Sequence, residues 1–155
     1  MSQDDLAQFL KLVKKFSHAM LVTEKDGQLR SRPMAIGDVT SDGRIRFITR
    51  DNSPKLDELT ENGHVNVAMQ GDARFLSLSG EARLSKDRKL VDESWSASQA
   101  PWFSDGKDDP HVIALEVIPA YAEFWDRSDT GLVTRLLHLA AVDGDHGHID
   151  FSRDQ

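Results

Sequence analysis

The 155-residue chain has no cysteine, which excludes disulfides, thiol catalysis, iron–sulfur clusters and Cys-type zinc sites. No apolar run approaches the roughly 20 residues that a membrane-spanning helix needs. Residues Met1 to Phe9 are polar and acidic, without the basic-then-apolar pattern of a signal peptide, so the expected location is the cytoplasm. Glycine-rich phosphate loops are missing as well, which removes the P-loop and the dinucleotide fingerprint. There is no Gly-x-Ser-x-Gly elbow to support hydrolytic chemistry. The histidines His18, His64, His111, His138, His146 and His148 have no zinc-motif spacing, and Asp105 to Pro110 lacks that of a calcium loop. No resident metal is expected. Basic residues are outnumbered, 19 Lys+Arg against 26 Asp+Glu, for a net charge of −7. That balance disfavours nucleic acid or an anionic membrane as a partner.

The chain does carry a regular punctuation of strands. Ser2 to Phe16 reads as an amphipathic helix, with Leu6, Phe9, Leu10 and Val13 at helical spacing. Residues 18–23 form a short apolar strand, and Asp26-Gly27 turns it into Gln28 to Ile36. Asp42-Gly43 repeats the turn before Arg44 to Thr49. Pro33, inside the second of these strands, requires an edge, a bulge or a kink. Ser53 to Leu59 is a predicted short helix, with Ser53 as N-cap and Pro54 at its first position. Further strands are expected at 65–69, 73–84, 112–117 and 121–125, with helices at 87–95 and 130–142. The polar residues from Asp143 onward read as a frayed tail. One domain over residues 1–155, mainly β, follows: an antiparallel barrel of six or seven strands with peripheral helices.

Arg30, Arg32, Arg44, Arg46, Arg50 and Lys55 form a basic island in this acidic chain. Such an island is either a solvated strand edge or a seat for a small anion. Ser53 sharpens the second option, because free N–H groups at a helix start, a hydroxyl and the Lys55 ammonium attract a dianion. The same residues can equally begin a surface helix. Trp95, Trp102 and Trp125 are core or interface aromatics, or walls for a planar ligand. Trp102 and Phe103 sit in a polar loop, where exposed aromatics cover something or meet a partner.

In chain order, Ser31-Arg32-Pro33-Met34, Phe47-Ile48-Thr49 with Ser53-Pro54-Lys55, Val65-Asn66-Val67-Ala68, Leu78-Ser79-Gly80-Glu81-Ala82, Trp102-Phe103 and Ala122-Glu123-Phe124-Trp125-Asp126 resemble the flavin-binding split-barrel superfamily related to pyridoxamine-phosphate oxidase. Its bacterial general-stress-protein branch is the most similar. The resemblance implies an antiparallel split β-barrel that forms a homodimer with FMN in a groove between subunits. It assigns Arg32 and Lys55 to the FMN phosphate with the Ser53 hydroxyl, and Thr49 to the flavin or its phosphate. Pro33 and Met34 would run along the isoalloxazine, and Trp102 and Trp125 would wall the site from opposite subunits. The implied activity is a flavin-dependent oxidoreductase of unknown substrate. The alternatives are a non-catalytic flavin buffer or sensor, and a barrel that takes haem or a deazaflavin. Residues 127–155 show no counterpart of the oxidase's substrate-binding end, so oxidation of pyridoxamine phosphate is not expected.

Overall fold

The computed structural model describes residues 3–53, 56, 58–59, 63–127 and 145–151. Helix α1 (Gln3–Val13) buries Phe9, Leu12 and Val13. It stops short of the predicted Phe16 because the chain tightens into a final turn, with Lys15 N donating to Leu12 O and Phe16 N to Val13 O. The strands β1 (His18–Lys25), β2 (Gln28–Val39) and β3 (Ile45–Arg50) form the predicted meander. Asp26 and Gly27 both take positive φ at the first turn, 52° and 76°, as a two-residue hairpin requires. Then come β4 (His64–Gly71), β5 (Arg74–Ser85), α2 (Arg88–Ser94), a 3-10 helix (Ala97–Trp102), β6 (Val112–Asp126) and β7 (Asp145–Asp150).

The sheet runs β3-β2-β1-β4-β5-β6-β7 and closes on itself where β3 also pairs with β6. Six antiparallel strands therefore make the barrel, as expected for this fold class. One long strand performs the closure. The first half of β6 pairs with β3, from Val112 opposite Arg50 to Val117 opposite Ile45. Its second half, Tyr121 to Asp126, is free for β7. The expected separate strands at 112–117 and 121–125 are thus one strand, and Pro119 does not break it. Pro119 faces Gly80 where the β5–β6 register shifts, so its missing N–H falls at an irregularity. Gly80 is obligatory there, since a Cβ would lie 2.1 Å from Ile118 O.

The expectation of a frayed tail is corrected by β7. Its polar residues need only backbone pairing to cover the β6 edge that β3 leaves open. Phe151 then packs edge-on against Phe9, with ring centroids 5.9 Å apart. The interior holds Leu21, Phe47, Ile45, Val67, Leu76, Leu78 and Leu115. Outside the barrel, Val91 of α2 packs on Ile48, Val112 and Ala114, joined by Trp95 and Phe103. Gly37 lets α2 approach this closely, because a Cβ would meet Ser94 O at 1.8 Å. That contact brings the 3-10 helix to β2. The predicted helix at 130–142 lies outside the described residues, as do Ser2, Pro54 and Lys55. No helix among the described residues is long and apolar enough to cross a membrane.

Candidate functional site

Pro33 lies at an edge. Over residues 28–35, β2 pairs with β1, and β3 joins its other side only from Ile36. The gap between β2 and the end of β3 opens a cleft of about 270 Å³ lined by Arg32, Pro33, Met34, Ala35, Ile48, Thr49, Arg50, Ser53, Gln99, Trp102 and Phe103. Five sequence-predicted residues besides Arg32 thus meet in one place: Pro33, Met34, Thr49, Ser53 and Trp102. Lys55 lies outside the described residues. Trp125 lines a different cleft, of about 420 Å³, with His18, Met20, Ala68 and Phe75. Pro33 borders both clefts.

Thr49 carries the strongest local signal. It is buried, and its Oγ1 has no hydrogen-bond partner among the described residues. A buried hydroxyl without a partner is uncommon and costly, and Thr49 is one of the residues that line the cleft. Ser53 behaves as a helix start: its carbonyl accepts from Leu56 N at 3.0 Å. Gln99 is buried with its Nε2 donating to Ala35 O at 3.2 Å, which seats the 3-10 helix on β2. Trp102, at 57% exposure, stands at the cleft mouth.

The basic island divides between two faces. Arg44 and Arg46 reach Glu116, each at 2.9 Å, so they belong to a charged network on the barrel's outer surface. Arg30 is mostly exposed and lies 3.6 Å from Glu58. Arg32 and Arg50 line the cleft, each with an acidic partner. Arg32 Nη2 lies 2.8 Å from Oε2 of the buried Glu58, and its Nη1 donates to Thr23 Oγ1 at 2.7 Å and Leu21 O at 3.2 Å. The Thr23 hydroxyl donates to the same Glu58 oxygen. That hydrogen bond, with the charges of Arg32 and Arg30, holds the Glu58 carboxyl below its ordinary pKa against the opposing effect of burial. Arg50 Nη1 lies 3.0 Å from Asp109 Oδ2.

Sequence reasoning did not assign Arg50, Gln99, Phe103 or Glu58 to the site. Arg50 follows Thr49 directly, so its place in the island was a usable signal. Gln99 and Glu58 had none, because only the packed 3-10 helix and the closed barrel bring them in. A larger groove of about 630 Å³ crosses the outer face of β1, β4 and β5, past Glu24, His64, Asn66 and Glu81. Its Asn66 Nδ2 already donates to Ser77 Oγ at 2.9 Å, and no unpartnered buried polar atom among the described residues opens into it.

The family model "Pyridoxamine 5'-phosphate oxidase like" matches residues 4–147. General stress protein 26 of Bacillus subtilis is 30% identical over 127 residues, covering 77% of this chain and 87% of that protein. The solved general stress FMN/FAD binding protein of Xanthomonas citri is 26% identical, with a TM-score of 0.69, over 84% of this chain and 94% of its own. A Clostridium acetobutylicum protein related to general stress protein 26 has a TM-score of 0.73 over 100% of both chains at 14% identity, a likeness of fold.

Proposed function

The chain belongs to the pyridoxamine 5'-phosphate oxidase-like family, and on that footing we propose that it binds FMN in the cleft between β2, the end of β3 and the 3-10 helix, acting as a flavin-dependent oxidoreductase of the general-stress type. The observation that carries this reading is Thr49, a cleft-lining residue whose buried Oγ1 has no hydrogen-bond partner among the described residues. Pro33 and Met34 present backbone along the flavin ring, Thr49 supplies a hydrogen bond, and Trp102 shields one side. Ser53, Arg32 and Lys55 receive the phosphate. When bound, FMN supplies electron or hydride transfer at its ring, so the protein has to bind, orient and exclude water.

Two copies complete the site. A cleft of about 270 Å³ falls short of the usual range for a ligand of this size, since such pockets usually span about 300–1,000 Å³. The second cleft, with exposed Met20 and Phe75 beside Trp125, meets the first at Pro33. This supports a homodimer in which Trp125 of the partner subunit closes over the cleft.

Adding FMN to the purified protein should shift the flavin absorbance and quench its fluorescence. An unchanged spectrum rejects the reading. Anaerobic reduction of the loaded protein by NADH or NADPH, then reoxidation by an acceptor, distinguishes an oxidoreductase from a non-catalytic flavin carrier. Sedimentation of the same sample tests the dimer.

A further inference from the structure

We infer that Glu58 tunes which ligand charge the cleft accepts, by cancelling the charge of Arg32 while aiming its guanidinium. The inference deepens the flavin reading and rests on it for the identity of the ligand. Arg32 is held on one edge: Nη1 by Leu21 O and Thr23 Oγ1, Nη2 by Glu58 Oε2. Its Nε–H and second Nη2–H have no partner among the described residues, leaving a two-pronged donor edge. The Glu58 side chain is 7% exposed and that of Arg32 22%, so water screens the pair weakly. Arg50 is balanced in the same way by Asp109. The cleft arginines therefore offer directed N–H groups with little net charge. A phosphate dianion meets good geometry at Arg32, but also the nearby Glu58 carboxylate.

The test is Glu58→Gln, which keeps an acceptor for Arg32 and Thr23 and removes the charge. Dissociation constants for FMN and riboflavin are measured in one buffer, with circular dichroism confirming the fold. FMN should bind about tenfold more tightly relative to riboflavin, because the uncovered Arg32 charge acts on the phosphate alone. An unchanged FMN-to-riboflavin ratio, or selective weakening of FMN, overturns the inference. If Glu58→Gln does not fold, Glu58→Asp applies the same test by drawing the carboxylate back from Arg32, with a smaller gain expected and no gain overturning it.

Inorganic phosphate, titrated calorimetrically into the flavin-free proteins, provides an independent arm. It should bind the variant more tightly than the wild type. Wild-type protein that ignores both flavins, with a variant that gains phosphate affinity, rejects the flavin reading and keeps the role of Glu58. No gain for phosphate or FMN overturns that role.

Discussion

The guanidinium carbon of Arg50 lies 5.5 Å from the ring centroid of Phe103, joining the end of β3 to the loop that walls the cleft. The same Arg50 reaches Asp109 at 3.0 Å, and Arg88 of α2 donates to Asp109 O at 3.2 Å and Val112 O at 2.7 Å. The aromatic loop is thus strapped at both ends. Backbone N–H donation from His111, followed by Arg50, keeps the Asp109 carboxyl below its ordinary pKa, so this strap stays charged at neutral pH. Replacing Arg50 by Met keeps bulk and removes the cation, at about 1 kcal/mol for the ring contact. Hydrogen exchange over residues 97–110 should rise while the melting temperature moves little. Unchanged exchange there would show that the loop does not depend on Arg50.

Thr49→Val separates ligand binding from stability. The hydroxyl is buried without a partner among the described residues, so an apolar replacement of the same shape should leave the ligand-free protein as stable or raise its stability by about 1 kcal/mol. FMN affinity should fall about tenfold, the loss of one buried hydrogen bond. Urea unfolding and flavin titration check the two halves. A destabilised apo protein would mean that the hydroxyl already has a partner.

Arg32→Ala should cost about 3 kcal/mol of folding stability, because it strands the Glu58 carboxylate in a buried site. The variant therefore weakens the protein as well as the cleft, and urea midpoints must accompany any binding measurement. The double variant Arg32→Ala, Glu58→Gln should recover part of that loss. If the single and double variants unfold at the same midpoint, the buried pair carries no such energy.

The pH dependence follows from Glu58. Its folded pKa is depressed, so the stabilisation is present above the unfolded value, about 4.3. It is lost as pH falls through the lower folded value. Wild type should exceed Glu58→Gln in urea midpoint at pH 7, and the two should converge as pH drops below about 4. A gap that persists undiminished at pH 2.5 would assign the difference to packing and not to charge.

Several features were legible because they are local. Asp26-Gly27 and Asp42-Gly43 marked the hairpins, since only small or turn-forming residues accept positive φ cheaply. Pro33 announced an edge, a bulge or a kink because it has no N–H to pair, and only the pairing of β2 decided for the edge. Pro119 misled for the same reason: its strand continues only because Gly80, 39 positions earlier in the chain, yields room across the bulge. The polar stretch at 145–150 gave no strand signal, since its pairing with β6 is a backbone matter.

By itself, then, the sequence determined the strand-rich barrel, its turns, the exclusion of thiol and cysteine–metal chemistry, and the set of cations from which an anion seat could be drawn. Which cations line the cleft was decided by closure. Pairing β3 with β6 sets Arg46 beside Glu116 and spends it on the outer surface. The closed barrel brings Glu58 to Arg32, the packed 3-10 helix brings Gln99 to Ala35, and Trp125 lies in a second cleft. Those neighbours are fixed by the register and packing of distant segments, and no local propensity encodes such long-range contacts.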